Sequence, residues 1–457
     1  MRVTPIEAIL PLLTTALLLI VTLLSGSTAF YWPLAAGAVV AAGLALRNGF
    51  RFPQLGRAAL DGIRSTLIAL SILVLVGGLI GVWKAAGTVP AMIYYGLGLA
   101  QPRILVPVAF LLALATSMML GTSIGTLSTL GVAIMGVAHG IGAPPALVAG
   151  ALASGALFGD RSSPLAGSLN LNVAMTGTEL RRMLGVLAPT GVTAALISLV
   201  LYAVLGARIS VAAGAGGEAL RTAIASNFTI TPWLLLPPVI VLALAFFRVP
   251  VRWALGVGIV AGGVLAVLVG GKSVGVPVEA ALVGFKVQTG DLALDKMLAG
   301  GGIIPMLNQV ILILVAGAFN GIMEATGMMA LVVSRLVEGA RRPLALIGTS
   351  MLISISVALV AANQALAIIV PGRMLRPAFE SAGLDATELS RALADSGTVL
   401  AGIIPWNLMG MLAAAALGVP VRVFAPYTFF ALVLPVVSVG RAALAERRAA
   451  KRLAVAD

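Results

Sequence analysis

Long apolar stretches separated by short polar ones run through the whole chain. Residues 8–24 and 28–46 each read as a membrane span, for which roughly 20 apolar residues suffice. An amphipathic stretch at 53–62 precedes a third span at 65–83. The segments 104–137 and 146–175 are too long for single crossings. Each is interrupted by small and polar residues, Gly121 to Thr126 in the first and Gly159 to Pro164 in the second. A span at 184–205 follows. The pattern then begins again, with spans at 230–247 and 253–270, an amphipathic stretch at 276–296 and a span near 303–323. Two long segments, 344–374 and 389–417, are interrupted around 361–364 and 402–407, and 423–439 is the last span. Irregular backbone at membrane depth survives only where protein or a water-filled cavity covers it. The first interrupted segment of each set therefore predicts a re-entrant hairpin, and the second a broken spanning helix. Membrane barrels alternate over segments of about ten residues, which this chain does not do. The expected fold is all-α and integral to the membrane.

The two sets share a register. Gly81 and Gly87 recur 240 residues later as Gly321 and Gly327. Ala151-Leu152-Ala153 recurs 241 residues later as Ala392-Leu393-Ala394, and Pro164 as Pro405. Duplicated units of this length mark secondary transporters. With the N-terminus inside, each unit makes five crossings and the second enters upside down. Inside loops and the tail then hold 20 of the 29 basic residues, among them Arg2, Arg47, Arg181, Arg248, Arg341, Arg342 and Arg441, against 8 in outside loops. That is the positive-inside asymmetry, and parallel units would place the basic tail outside. The expected organisation is a first repeat at 1–207, an outside linker at 208–229, a second, inverted repeat at 230–440 and a basic cytoplasmic tail at 441–457.

Composition agrees: 60% of residues are hydrophobic, 10% are charged and the mean hydropathy is +1.10, where soluble domains carry about 25% charged residues. The net charge of +13 follows the loops rather than a nucleic-acid face. There is no cysteine, hence no disulfide framework or thiolate metal site. The apolar run after Arg2 is read as a retained first helix rather than a cleaved leader, because the repeat needs a helix there. No P-loop, H-E-x-x-H pair or second histidine accompanies the lone His139, so neither an enzyme nor an ATP-driven pump is expected.

A carboxylate at the bilayer centre costs about 2.5–3.5 kcal/mol on insertion scales. Three acids fall at membrane depth: Asp160, Asp395 and Glu324. Asp160 lies in Phe158-Gly159-Asp160-Arg161-Ser162-Ser163-Pro164, at a helix break. Freed carbonyls, a carboxylate and hydroxyls there make a hard-oxygen site for a small cation, which the same carboxylate can exchange for a proton. The alternative for Asp160 is a local ion pair with Arg161. Asp395, in Ala394-Asp395-Ser396-Gly397-Thr398, reads either as a ligand or as a helix cap facing the cytoplasm. Glu324, matched by Lys84 in the first copy, reads as a scaffold or gating residue. Gly121, Thr122, Ser123 and Gly125 at one hairpin tip, and Asn363 and Gln364 at the other, offer oxygens and close backbone approach, although such small-residue runs also pack helices. Thr398 and Asn407 are polar positions along the second broken helix.

Gly121-Thr122-Ser123-Ile124-Gly125-Thr126, the string from Ser154 to Pro164, Gly397-Thr398 through Ile404-Pro405-Trp406-Asn407, and Gly300-Gly301-Gly302 before Met306 resemble the NhaC family of Na+/H+ antiporters, within the ion transporter superfamily. The resemblance covers nearly the whole chain. It implies scaffold and transport parts, paired hairpins, an elevator-like motion, and a coupling cation held by Asp160 with Ser162, Ser163 and the other nearby hydroxyls. In many members a Ser-Asp pair follows Ser-Pro, where this chain has Ala166 and Gly167. Members also exchange organic acids such as malate for lactate, and Arg161 beside the break is a candidate partner for such an anion.

The expected function is therefore Na+/H+ antiport, with cation-coupled transport of small organic acids or amino acids as the alternative. No cofactor is expected beyond Na+ and H+ as transported ions. The expected partners are the lipid bilayer, a monovalent cation and a small organic anion, with no nucleic acid, and a homodimer is compatible with the pattern. The expected location is a bacterial inner membrane with both termini cytoplasmic.

Overall fold

The computed structural model describes residues 3–99, 102–209, 215–247, 249–337 and 343–456. Arg2, Arg248, Arg341 and Arg342 of the loop-charge count, and residues 210–214 of the expected linker, lie outside the described residues. The first half of the chain forms α1 (Pro5–Leu24), α2 (Tyr31–Arg47), α3 (Phe52–Ala86), α4 (Thr88–Leu99), α5 (Pro102–Leu120), α6 (Ser123–Thr126), α7 (Val132–Gly140), α8 (Pro145–Ser162), α9 (Gly167–Thr176) and α10 (Leu180–Ala207). The second half forms α11 (Ala215–Asn227), α12 (Leu236–Phe246), α13 (Val251–Leu268), α14 (Gly275–Val283), α15 (Leu292–Leu298), α16 (Leu307–Ala325) and α17 (Met328–Val337). It continues with α18 (Pro343–Val360), α19 (Gln364–Ser381), α20 (Ala386–Ala394), α21 (Gly397–Leu400), α22 (Leu408–Leu417), α23 (Val421–Phe424) and α24 (Phe429–Ala456). Among the described residues there is no β-strand, only one isolated bridge between Phe285 and Gly300. Among the described residues seven helices are long and apolar enough to cross a membrane, or up to nine if two bent pairs are each taken as one span. Their outward faces are apolar: Leu17, Val200, Val260 and Val436 are all exposed, as expected where lipid is the solvent.

The helix breaks fall where the sequence places them, with local differences. Gly121 ends α5 with φ +67, and Thr122 caps the helix that runs on through a π-type turn at 127–131. α18 ends before Ala361, and Asn363 caps α19. α8 runs on through Asp160 to Ser162, so its break begins at Ser163, four residues after the expected glycine. The amphipathic stretch at 53–62 and the span at 65–83 are one 35-residue helix, α3. The stretch at 276–296 is not continuous, because the Phe285–Gly300 bridge separates α14 from α15. The second broken helix is interrupted twice, at 395–396 and at 404–407. α24 continues without a break into the basic C-terminal segment.

At the centre α3 and α16 lie against each other, with α13 packed on α3 and α2 on α16. The approach depends on missing side chains: a Cβ added at Gly321 would lie 2.1 Å from the Ala58 carbonyl oxygen, and one at Gly62 2.1 Å from that of Gly317. α5 packs along α8, and α18 and α19, the two arms on either side of the 361–363 break, pack on each other. The two halves are also pinned by charge. Arg161 on α8 donates from Nε to Asp395 Oδ1 at 2.7 Å and from Nη2 to the same oxygen, with both side chains fully buried. Arg391 stands beside Asp395, held by Glu388 and by Ser438 Oγ at 2.6 Å.

Gly321→Val should lose about 1–3 kcal/mol by overpacking and melt lower in detergent, whereas Gly348→Ala, with open space around its Cβ, should melt unchanged. Asp395→Ala should lose about 3–5 kcal/mol, because it leaves Arg161 buried without its counter-charge. Arg161→Met with Asp395→Leu should recover most of that loss in the same melts. An Asp395→Ala protein as stable as the parent would refute the pin.

Candidate functional site

Asp160 occupies the last turn of α8 and is 7% exposed. Its Oδ2 accepts a hydrogen bond of 3.0 Å from Gln364 Nε2, and the same amide nitrogen donates to the Thr398 carbonyl at 2.8 Å. The carboxylate also faces the Ser123 backbone amide and the Ser168 hydroxyl, and Ser168 Oγ donates to the Asp160 carbonyl at 2.6 Å. Four interrupted elements thus converge on one carboxylate: both hairpin tips, the break between α8 and α9, and the short α21. Ser123 begins a helix and meets the carboxylate with its backbone amide, a position where amide dipoles favour negative charge, whereas Gln364, first in α19, reaches it with its side chain.

Among the described residues no basic side chain pairs with Asp160. Arg161, next in sequence, is about 100° further round α8 and turns away from it. Its guanidinium is taken up by Asp395, the Thr190 hydroxyl at 2.7 Å, the Leu187 carbonyl at 3.1 Å and Ser162 Oγ at 3.0 Å. The local Asp160–Arg161 pair is therefore not formed. Asp395 is not a cytoplasm-facing cap either: it ends α20, and its carboxylate is buried because Arg161 needs a counter-charge there. One Asp395 oxygen, Oδ2, has no hydrogen-bond partner.

The other expected residues divide by what their polar atoms do. Ser123 is buried, and its Oγ has no protein partner. Thr398 presents its carbonyl to Gln364 while its hydroxyl donates to Leu393 at 2.8 Å. Thr122 accepts from the Gly125 amide, and Asn363 from that of Ala365 at 2.8 Å, so both are helix caps beside the site. Gly121 passes so close to Leu165 that an added Cβ would stand 2.5 Å from its carbonyl carbon. Ser163 donates to Met118 at 2.7 Å. Asn407 is spent on the Ala358 carbonyl at 2.9 Å and the Met409 amide at 3.1 Å. Glu324 is exposed near the end of α16 and is not part of this cluster.

Two residues were not read from the sequence. Ser168 lies one position beyond the Ala166-Gly167 departure, and the break between α8 and α9 separates it from Asp160, so helical spacing does not relate the two. Asn320, buried on α16, donates to the Ala361 carbonyl at 2.6 Å and so touches the second hairpin tip. A polar residue inside an otherwise apolar span was its available signal. Among the described residues no group of three or more His, Cys, Asp or Glu comes together. A cation at Asp160 would complete its shell with neutral oxygens, which suits a monovalent ion better than a divalent one.

Comparison with known proteins identifies the family. The family described as the Na+/H+ antiporter family matches residues 1–169 and 155–445. The Na(+)/H(+) antiporter NhaC of Bacillus subtilis (strain 168) is 33% identical over 89% of this chain and 90% of its own length. NhaC of Alkalihalophilus pseudofirmus is 32% identical over 86% and 85%. The malate-2H(+)/Na(+)-lactate antiporter of Bacillus subtilis is 30% identical over 85% and 84%. With matches of this extent to a helical membrane chain that gathers its interrupted segments on one carboxylate, the protein belongs to the Na+/H+ antiporter family.

Proposed function

We propose that this secondary-active Na+/H+ antiporter binds Na+ and H+ in turn at Asp160. The observation that carries the reading is a buried carboxylate whose hydrogen-bond partner is a neutral amide, Gln364, rather than a cation. A buried ion without a counter-charge is costly, so the site is stabilised by whichever cation it takes up. The Ser168 hydroxyl at the carboxylate, the unpartnered Ser123 Oγ and the Thr398 carbonyl that shares Gln364 are the neutral oxygens we assign to the ion. Asp395, neutralised by Arg161, holds the loop rather than the ion.

Exchange of small organic acids is the second reading, supported by likeness to the malate-2H(+)/Na(+)-lactate antiporter. Arg161 was its expected anchor, but that guanidinium is 1% exposed and engaged on Nε, Nη1 and Nη2. The Na+/H+ reading therefore takes precedence.

The transport cycle in this reading is elevator-like, with two inverted repeats of five crossings each. Two likenesses support the duplication. Gly121 (φ +67) and Ala362 (φ +52) stand 241 residues apart, and each is followed by an extended capping residue, Thr122 (φ −149, ψ 126) and Asn363 (φ −139, ψ 121). Gly62 and Gly302 stand 240 apart, as do Gly77 and Gly317. A Cβ at Gly77 would meet the Gly302 carbonyl oxygen at 2.6 Å, and one at Gly317 the Gly62 carbonyl oxygen at 2.9 Å. The same close approach thus occurs twice.

In proteoliposomes Asp160→Asn should abolish Na+/H+ exchange while the purified protein keeps its helical fold. Retained exchange would sink the assignment. Gln364→Leu removes a hydrogen bond to a charged group, worth about 1.5–3 kcal/mol. It should raise the KM for Na+ about tenfold or more, read from the Na+ dependence of initial rates.

A further inference from the structure

Three cavities follow one another, the first among α3, α4, α7 and the end of α22 and the next two along the seam between α16 and α22. The largest, about 840 Å3, opens beside Lys84 and His139 and reaches Met306, Ala415 and Gly418. The second, about 360 Å3, shares those three residues and continues past Pro405 to Met411. The third, about 10 Å3, begins at Met411 and ends at Asn320, Ala362 and Asn363. That volume is about the least that holds one water molecule. Asn363 is the residue before Gln364, whose amide holds the Asp160 carboxylate. The seam thus leads from one face of the molecule to the second hairpin tip and narrows at each step.

The walls suit a hydrated ion at the wide end and a stripped one at the narrow end. Ala414, Ala415 and Gly418 keep the middle section open on the α22 side. Basic groups near the mouth are tied to backbone oxygens: Lys84 Nζ donates to the Ala299 carbonyl at 2.6 Å, and Arg422 Nη1 to that of Gly26 at 3.2 Å. Asp291 lies in the same lining. At the inner end Asn320 is 7% exposed. Its Nδ2 holds the Ala361 carbonyl at 2.6 Å, while its Oδ1 is buried without a hydrogen-bond partner. A carbonyl oxygen left unpaired in this way is a ready ligand for a cation or its last water.

We propose that this seam is the path by which a hydrated monovalent cation reaches Asp160 from the face carrying Ser27, Lys84 and Arg422, with Met411 and Asn320 as its inner gate. The path rests on the reading of Asp160 as the cation site. The thioether of Met411 stands where the second and third cavities meet, and Asn320 bolts the hairpin tip immediately behind it. By the loop charges this face is the outside one, so the structure describes a state open outward and closed at the tip.

The chain has no cysteine, so single-cysteine variants report without background. Ala415→Cys marks the junction of the first two cavities and Met411→Cys that of the second and third. In right-side-out vesicles, a membrane-impermeant charged thiosulfonate should label Ala415→Cys and reduce Na+/H+ exchange at least tenfold. Met411→Cys should be labelled in Na+-free buffer and protected by saturating Na+. Val260→Cys, on the outer face of α13, should keep full exchange under the same treatment. Labelling of Ala415→Cys without loss of exchange would overturn the path, as would labelling only in inverted vesicles. If Met411→Cys does not fold, Ala415→Cys decides alone. An Asp160→Asn protein that still exchanges would remove the site while leaving the labelling pattern to stand or fall by itself, so the two failures are distinct.

Discussion

A charge held at membrane depth must be neutralised locally, because neither water nor lipid will do it. Among the described residues this chain buries two carboxylates and two guanidinium groups, and it pairs them unequally. Arg161, Arg391 and Asp395 close on one another, with half-buried Glu388 at the rim. Asp160 is left with a side-chain amide, a hydroxyl and one backbone N–H, that of Ser123. The asymmetry arises from one helical step. Successive side chains on an α-helix diverge by about 100°, so Asp160 looks to the hairpin tips while Arg161 looks to α10 and α20. Were both to face one way, they would neutralise each other and no vacancy for a mobile cation would remain.

That arrangement depends on backbone that is not helical where lipid would demand a helix. Each hairpin tip must reverse its chain and still satisfy its N–H and C=O groups. Both do so alike, with a left-handed residue followed by a polar cap. Glycine supplies the left-handed turn at position 121 without cost. Alanine supplies it at 362, where strain of order 1 kcal/mol is held in place by neighbours: Leu408 donates to the Ala362 carbonyl at 3.0 Å, and Asn320 to that of Ala361. The residue after each cap meets Asp160, Ser123 through its backbone amide and Gln364 through its side-chain amide.

Much of this was legible in the sequence, for physical reasons. Apolar run length fixes where a chain can cross a bilayer, and Gly, Ser, Thr, Asn and Pro inside such runs mark where it cannot stay helical. The interruptions at 121–126 and 361–364, and the carboxylate at 160, follow from those two rules. Pairing did not follow. Arg161 and Asp395 are 234 residues apart, and an apolar stripe says which face is buried but not which residue opposite it comes into register. The same limit hid Ser168 and Asn320. The second break at 395–396 was obscured for a related reason: Asp395 and Ser396 read as a helix start facing water, whereas a buried Arg161 makes that position interior. The stretch at 276–296 looked helical because amphipathic periodicity cannot register one pair of backbone hydrogen bonds between Phe285 and Gly300.

The proposed duplication and the site pull in opposite directions, and the chemistry lies in the difference. If the two tips were equivalent in side chains as well as backbone, Ser123 and Gln364 would be one residue type, and Asp160 would have an acid opposite it at Ala401. Two carboxylates facing one vacancy repel each other and hold a proton or a divalent ion in preference. Replacing one acid by alanine and supplying an amide from the other tip leaves a single negative charge and a donor to orient it. In the proposed duplication the copies differ at two matched pairs, Ser123/Gln364 and Asp160/Ala401, and that inequality leaves the single negative charge that the proposed monovalent-cation site requires.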